Sequence, residues 1–147
     1  MDLIKLLRSV EMFSGLSDEQ LSQLASIFEE RTLNEGEILF RQGDEGDSMA
    51  LICEGFVEVI LASSDAPQGR TIVTLGPGQS VGEMALIDYG PRSATVRAAA
   101  DRTVVVCVRR EAFERLCESN TAIGYIIMRN IAADLSFRLR HRDLNRS

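Results

Sequence analysis

The chain has 147 residues, of which 45% are hydrophobic, and a formal net charge of −6 at pH 7. This length predicts one domain built around one buried core. Residues 1–128 hold 11 basic and 20 acidic side chains, and their net charge of −9 argues against a body that binds nucleic acid.

Two short amphipathic helices are predicted at the start of the chain, within residues 1–31. The apolar positions of residues 3–10 recur at helical spacing. Residues 17–20, Ser-Asp-Glu-Gln, have the form of a capping box ahead of a second apolar face that ends at Phe28. No uninterrupted apolar run approaches the length that spans a bilayer, and the start of the chain lacks the charged-then-apolar form of a signal peptide. We therefore expect a soluble, cytoplasmic protein with no membrane span.

Short runs rich in β-branched residues replace the helical spacing after Arg31. Glycine-bearing breaks separate these runs, and seven or so strands at such regular spacing predict an all-β roll or barrel. The segment 63–69 is predicted to be a hairpin loop rather than a domain boundary. Six of the predicted strands are residues 37–40, 49–52, 56–60, 71–75, 93–98 and 103–108.

Helical spacing returns after Arg109, and Asn120 is the predicted N-cap of a longer last helix. Its apolar stripe leaves two alternatives open: packing against the protein's own roll, or a dimer seam that would make a homodimer rather than a monomer. The arginines of residues 129–146 are interpreted as solvated cations near the negative end of the helix dipole. The stripe consists of Ile123, Ile127, Ile131, Leu135 and Leu139.

Three other patterns give no catalytic or metal site. Cys53, Cys107 and Cys117 are odd in number and widely spaced, which predicts reduced thiols rather than disulfides or zinc ligands. The three carboxylates of residues 44–47 lack the longer loop and closing glutamate of a calcium site, and predict a solvated glycine turn. His141 is the only histidine and has no nucleophile arranged around it, so we expect no enzymatic activity.

The sequence of residues 81–96 does not fit an ordinary strand or helix of the hydrophobic core. Gly82 allows the backbone to come close to a bound group, and residues 83–87 can form a helical turn whose free N–H groups face an anion. Strand alternation places Arg92 between apolar neighbours, where a buried guanidinium is costly unless an anion pairs with it. A phosphate would satisfy it. The segment reads Val-Gly-Glu-Met-Ala-Leu-Ile-Asp-Tyr-Gly-Pro-Arg-Ser-Ala-Thr-Val.

This segment resembles the phosphate-binding cassette of the cyclic-nucleotide-binding domain family, in which Phe-Gly-Glu-Leu-Ala-Leu is followed, after a short gap, by Pro-Arg-x-Ala-Thr-Val. Val81 departs from the family's Phe, a change of core size rather than of a polar contact. The resemblance covers nearly the whole chain, because residues 33–40, 43–47 and 54–59 are similar to the family's strand and turn signatures.

The resemblance implies a mainly β fold with flanking helices, a cyclic-nucleotide-binding β-roll, as one domain over residues 1–147. Its parts would be N-terminal helices (1–31), the roll (32–108) with the cassette (81–96) and its short helix, and two C-terminal lid or hinge helices (109–147).

The resemblance also implies which residues hold the ligand, a cyclic purine nucleotide, with no metal and no other cofactor. Arg92 would pair with the cyclic phosphate, and Glu83 would accept a hydrogen bond from the ribose 2′-hydroxyl. The other predicted ligand-binding residues are Gly82, Met84 and Ala85, which would offer backbone groups, Ser93 and Ala94, which would complete the phosphate end, and Ile72 and Arg142.

The resemblance gives less information about which purine base the ligand carries. The Ser93 hydroxyl would bond a phosphate oxygen, as in cAMP receptor proteins, or the 2-amino group of guanine, the role of Thr in cGMP-selective domains. We favour cAMP as the ligand, with cGMP as the alternative. The two hydroxyl residues that touch adenine in cAMP receptor proteins align, without gaps, with Arg142 and Asp143. Arg142 would stack on the purine as a cation or remain a solvated arginine, and both alternatives stay open.

The predicted function is a sensor module that binds a cyclic nucleotide and transmits its occupancy to an unknown protein partner through the C-terminal helices. Because the chain stops at Ser147, we expect no helix-turn-helix and no reading of DNA by that route. Two alternatives remain: a scaffold protein on the same roll that binds no nucleotide, and an isolated regulatory domain of a larger protein. The preference for arginine over lysine favours a bacterial source.

Overall fold

In the computed structural model, which describes residues 2–144 and their side chains as far as Arg142, the chain divides into two compact units. The first runs from Ile27 to Glu114 and holds every strand of the described chain. The second combines residues 2–26 with the chain from Arg115 onward. Residues 145–147 of the predicted lid segment lie outside the described residues.

The first unit is built from two four-stranded antiparallel sheets, in the orders β1-β8-β3-β6 and β2-β7-β4-β5. This arrangement confirms the predicted β-roll with flanking helices. The strands are Glu29–Leu33 (β1), Ile38–Phe40 (β2), Ser48–Glu54 (β3), Val57–Leu61 (β4), Arg70–Leu75 (β5), Ser80–Val81 (β6), Thr95–Ala98 (β7) and Thr103–Arg109 (β8).

The core of the roll lies between the two sheets. Four successive residues of β3, Met49–Ile52, are fully buried, so both faces of this central strand are covered. Ala50 and Ile52, which share one face, join a cluster with residues of the second sheet such as Val57 and Val96. The sheets therefore hold the loops at the end of the roll on a closely packed base.

The structure differs from the predicted boundaries at the start of the roll. Helix α2 (Asp18–Ala25) ends early, and β1 begins at Glu29, inside the segment 1–31 predicted to be helical. Four of the five β1 residues are exposed, so this edge strand carries no alternating apolar signal. The two-residue strand β6 was also not predicted.

The second unit contains helix α1 (Leu3–Arg8), a 3₁₀ turn (Glu11–Phe13), α2 and most of the C-terminal helices. The predicted capping box is confirmed: the Ser17 hydroxyl accepts from the Gln20 N–H, and the Gln20 side chain accepts from the Ser17 N–H. The Asn130 side-chain amide donates to the carbonyls of Met12 and Ser14, each at 2.9 Å, which joins the last helix to the 3₁₀ turn.

Two helices follow the roll, as predicted: α3 (Arg110–Ser119) and α4 (Thr121–Leu144). The Asn120 side chain accepts from the Ile123 N–H at 3.3 Å, in agreement with its predicted N-cap role. The predicted apolar stripe on α4 is buried only in its first half, at Ile123, Ile127 and Ile131, whereas Leu139 is 60% exposed.

The three cysteines are free thiols, each half-buried. Within residues 2–144, no helix combines the length and the apolar character that crossing a membrane requires.

The core of the roll is tested by a matched pair of isoleucine substitutions. Ile52 is fully buried, and Ile52→Ala should lower the free energy of unfolding by about 2–5 kcal/mol, since the lost methyl groups leave a cavity. Ile72 is 53% exposed, and Ile72→Ala should change it by less than about 0.5 kcal/mol. Chemical denaturation measures both values. Equal losses would contradict this assignment of the core.

The half-buried thiols predict a dependence of stability on alkaline pH. Burial, followed by the nearby Glu30 and Glu54 charges, raises the pKa of Cys53 from 9.0 to about 11, and burial also raises the pKa of Cys107. The folded state thus holds these protons more tightly than the unfolded chain, which stabilises the fold below pH 9 and is lost as the pH rises to about 11. The thermal midpoint should fall over this range.

The variant Cys53→Ala should show a shallower fall of the midpoint between pH 9 and 11 than the parent protein. Cys117→Ala, which removes a cysteine from the second unit, is the control. The same slope in the Cys53 variant and the parent would show that this thiol does not carry the effect.

Candidate functional site

A cavity of about 390 Å³ opens at one end of the roll, within the first unit. This volume lies in the range of small-molecule sites. Part of its wall is apolar, from Phe40, Val59, Val81 and Val96 on the strands. The rest is a loop, residues 82–92, hereafter the 82–92 loop, together with Gly46, Ser93 and Ala94.

Backbone hydrogen bonds hold the 82–92 loop against a glycine-rich turn, residues 43–47, hereafter the 43–47 turn. The Arg92 N–H donates to the Asp44 carbonyl at 2.7 Å, and the Gly43 N–H donates to the Arg92 carbonyl at 2.9 Å. The Gly46 N–H donates to the Gly90 carbonyl at 3.2 Å. Arg92 thus lies in this paired loop, and its backbone is fixed on both sides. The strand that follows, β7, begins at Thr95 rather than at Ser93 as predicted.

The side chain of Arg92 is buried at the wall of the cavity, with 7% of it exposed. Its guanidinium lies 3.6 Å above the Phe40 ring, and Nη2 donates to the Ser48 hydroxyl at 3.1 Å. The Asp47 carboxylate is 3.8 Å from Nη2, an ion pair longer than a hydrogen bond. Among the described residues, Nη1 has no hydrogen-bond partner.

Burial lowers the pKa of Arg92, and the Asp47 charge opposes this effect. A lowered pKa means that the protein stabilises the charged guanidinium less than water does. Arg92 is therefore a buried cation with one donor group still available at a cavity wall.

Gly82 is required where the 82–92 loop begins. Its φ of +81° favours glycine, and a Cβ added here would lie 2.7 Å from Nη1 of Arg92 and 3.2 Å from the Phe40 ring. A side chain at this position would displace the guanidinium. Gly82 precedes a 3₁₀ turn, Glu83–Leu86, in agreement with the helical turn predicted for this segment.

The structure brings seven of the nine predicted ligand-binding residues to this cavity; their contact with a ligand stays a prediction. Glu83 is half-buried, and Met84 is 36% exposed. Within the described part of the chain, no cluster of His, Cys, Asp and Glu side chains has the arrangement of a metal site. The seven residues are Gly82, Glu83, Met84, Ala85, Arg92, Ser93 and Ala94.

Ile72 and Arg142 are not among the cavity residues. Ile72 is exposed on β5, an edge strand, and it is the neighbouring Val73 that pairs with Val59 of β4. Residues directly opposite on paired strands share a face, so Val73 lies on the same face as the cavity-lining Val59. Arg142 is exposed on α4, in the second unit.

The 43–47 turn has a role that its acidic sequence did not reveal. Its three carboxylates are exposed, as expected for a solvated turn, but Asp47 also pairs with Arg92, and Glu45 lies 3.9 Å from Arg110. Phe40, Ser48 and Arg110 were likewise not predicted. The short spacing of glycines in the turn was the only signal, since each glycine allows a close approach of backbones.

Comparison with known proteins identifies relatives of this site. The family model for the cyclic nucleotide-binding domain matches residues 30–120. The chain is 35% identical over 133 residues to the cyclic AMP receptor protein of Thermus thermophilus, covering 90% of this chain and 59% of that protein. It is 37% identical to the type II regulatory subunit of cAMP-dependent protein kinase from Drosophila melanogaster, covering 76% of this chain and 29% of that protein.

Solved structures show the same fold. The N-terminal domain of a transcriptional regulator from Streptomyces coelicolor superposes with a TM-score of 0.85 at 28% identity, covering 93% of this chain and 94% of that one. The Thermus thermophilus catabolite activator protein gives 0.78 at 35% identity, covering 92% of this chain and 61% of that one.

The chain thus spans less than two thirds of the length of these curated relatives. The family match covers the roll, including the cavity and both segments that enclose it. On this evidence, the chain belongs to the cyclic nucleotide-binding domain family.

Proposed function

We propose that this protein binds a cyclic purine nucleotide in the cavity, with Arg92 as the anchor of the cyclic phosphate. The observation that carries the proposal is the buried Nη1 of Arg92, which has no hydrogen-bond partner among the described residues. A phosphate oxygen at this donor would accept a charge-assisted hydrogen bond, worth about 1.5–3 kcal/mol net.

The partners of Arg92 within the protein compensate its burial only in part. Ser48 is a neutral acceptor, and the Asp47 carboxylate is more than half exposed and beyond hydrogen-bond distance. A charge removed from water is costly unless hydrogen bonds and an opposite charge replace the lost hydration. An anion in the cavity would supply both, so part of the free energy of binding comes from relieving this deficit.

Glu83 is the proposed acceptor for the ribose 2′-hydroxyl. It stands at the start of the 3₁₀ turn, next to Gly82, and lines the same cavity as Arg92. The backbone groups of Gly82, Met84 and Ala85 would hold the sugar and phosphate, and Ser93 and Ala94 would complete the phosphate end.

The apolar strand residues form the proposed base site. Val59 lines the cavity, and Val73 lies opposite it on the same face, 42% exposed. We therefore propose Val73, in place of Ile72, as the β5 contact of the purine, because apolar surface left open beside a cavity gains free energy when a base covers it. The ligand is cAMP in preference to cGMP, and Ser93 is the residue that would respond to the difference.

The proposed role is that of a sensor module which passes nucleotide occupancy to a protein partner through α3 and α4. The sequence of α3 follows β8 directly, with Arg110 at its first position. The alternative, a scaffold that binds no nucleotide, is favoured by one observation: Asp47 provides Arg92 with an internal counter-ion.

Calorimetric titration of nucleotide-free protein with cAMP and cGMP tests the proposal. We expect a micromolar Kd for cAMP and weaker binding of cGMP. Arg92→Met should weaken cAMP binding by about 10–100-fold, because it removes one charge-assisted contact. Arg97→Met is the matched control, since this arginine on β7 pairs with Glu58 outside the cavity. No saturable binding by folded parent protein would support the scaffold alternative.

The role of Glu83 is tested by varying the ligand and the protein together. Glu83→Gln should weaken cAMP binding by about 10-fold, since a neutral amide is a weaker acceptor than a carboxylate. It should leave the Kd of 2′-deoxy-cAMP unchanged, because that ligand lacks the hydroxyl. An equal loss for both ligands would show that Glu83 does not contact the 2′-hydroxyl.

A further inference from the structure

Arg110, the first residue of α3, is buried behind the wall of the cavity. Its Nη1 group lies within hydrogen-bond distance of three backbone carbonyl oxygens: Gly46 at 2.6 Å, Asp88 at 3.0 Å and Ala85 at 3.1 Å. Arg110 does not itself line the cavity, but all three acceptor residues do. One guanidinium thus fixes carbonyl groups of both segments that enclose the site.

Further contacts hold the guanidinium in place. Its carbon lies 4.0 Å from the centre of the Tyr89 ring, and the Tyr89 hydroxyl donates to the Glu114 carboxylate at 3.3 Å, one turn along α3. The Arg110 N–H donates to the Asp47 carbonyl at 2.7 Å. Arg110 is therefore tied to the 43–47 turn and to the 82–92 loop by side chain and backbone together.

The orientation of these carbonyls matters for an anion. A carbonyl oxygen carries a partial negative charge, so one that turned into the cavity would repel a phosphate, whereas a carbonyl bound to a cation behind the wall cannot turn. Burial lowers the pKa of Arg92 most, and the charge of Arg110 lowers it further.

We propose that Arg110 is a positioning residue of the binding site: it holds the carbonyl oxygens of Gly46, Ala85 and Asp88 away from the cavity and so keeps the wall compatible with an anion. The identity of this anion, the phosphate of a cyclic nucleotide, rests on the proposed function. The effect of Arg110 on the shape of the wall does not depend on any ligand.

The test combines cAMP titration with backbone hydrogen exchange on the full chain. Arg110→Met should weaken cAMP binding at least about tenfold, the ratio that corresponds to losing one well-placed interaction. Without ligand, it should speed exchange in the 43–47 turn and the 82–92 loop while leaving the core strands β3 and β8 protected. Arg110→Lys, which keeps the charge, should recover part of both effects. Arg109→Met is the control, because the Arg109 side chain is 68% exposed and its ion pair to Asp47, at 4.0 Å, is long.

Two results would overturn the proposal. The first is a folded Arg110→Met protein with the parent's affinity and exchange pattern. The second is faster exchange in β3 and β8 to the same degree as in the two loops, which indicates general destabilisation. If Arg110→Met does not fold, the cAMP affinity and the hydrogen exchange of Arg110→Lys are compared with those of the parent protein instead. Failure of the parent protein to bind any cyclic nucleotide would reject the proposed function, while the exchange measurement would still decide the role of Arg110.

Discussion

A guanidinium group inside a β-roll must find acceptors and an opposite charge, and the arrangement of Arg92 governs the architecture around it. The Phe40 ring covers one face of the group, Ser48 accepts from one nitrogen, and Asp47 lies just beyond hydrogen-bond distance. These contacts retain the cation at the cavity wall without saturating it. The remaining donor, Nη1, gives the cavity its chemistry.

The backbone around Arg92 follows from the same requirement. Gly82 has no side chain because a Cβ would collide with the guanidinium, and its positive φ starts the 3₁₀ turn that carries Glu83. The 43–47 turn pairs with the 82–92 loop through short backbone hydrogen bonds. Both segments are connected to strands of the roll, and these strands pack on a buried apolar core. The core therefore fixes the positions from which the two segments extend. Arg110 completes this arrangement from behind the wall.

The sequence predicted most of the roll because its strands are short runs rich in β-branched residues, separated by glycine-bearing breaks. It did not predict β1, an exposed edge strand in which four of the five residues are polar. It assigned Ile72 to the ligand, whereas Val73, the next residue of β5, is the one paired with the cavity residue Val59. Which of two neighbouring residues faces a cavity depends on pairing between strands, and an exposed edge strand such as β5 carries no local signal of it.

The seven predicted cavity residues, from the 82–92 loop and the two positions after it, were predictable because they lie in one short segment that matches a family pattern. Arg110 was not, because its partners are backbone carbonyls of residues far away in the sequence, and any residue type provides a carbonyl. An arginine at the start of a helix otherwise resembles a solvated one. Side chains that act on backbone groups are thus the part of a binding site that sequence patterns reveal least.

The central claim is that the unpaired donor of Arg92 binds the phosphate of a cyclic nucleotide. A crystal structure of the protein grown with cAMP tests it directly. The account predicts a phosphate oxygen within hydrogen-bond distance of Nη1, with Arg92 still stacked on Phe40 and bonded to Ser48. Electron density for cAMP elsewhere, or an Asp47 carboxylate bonded to Nη1 in its place, would contradict the account.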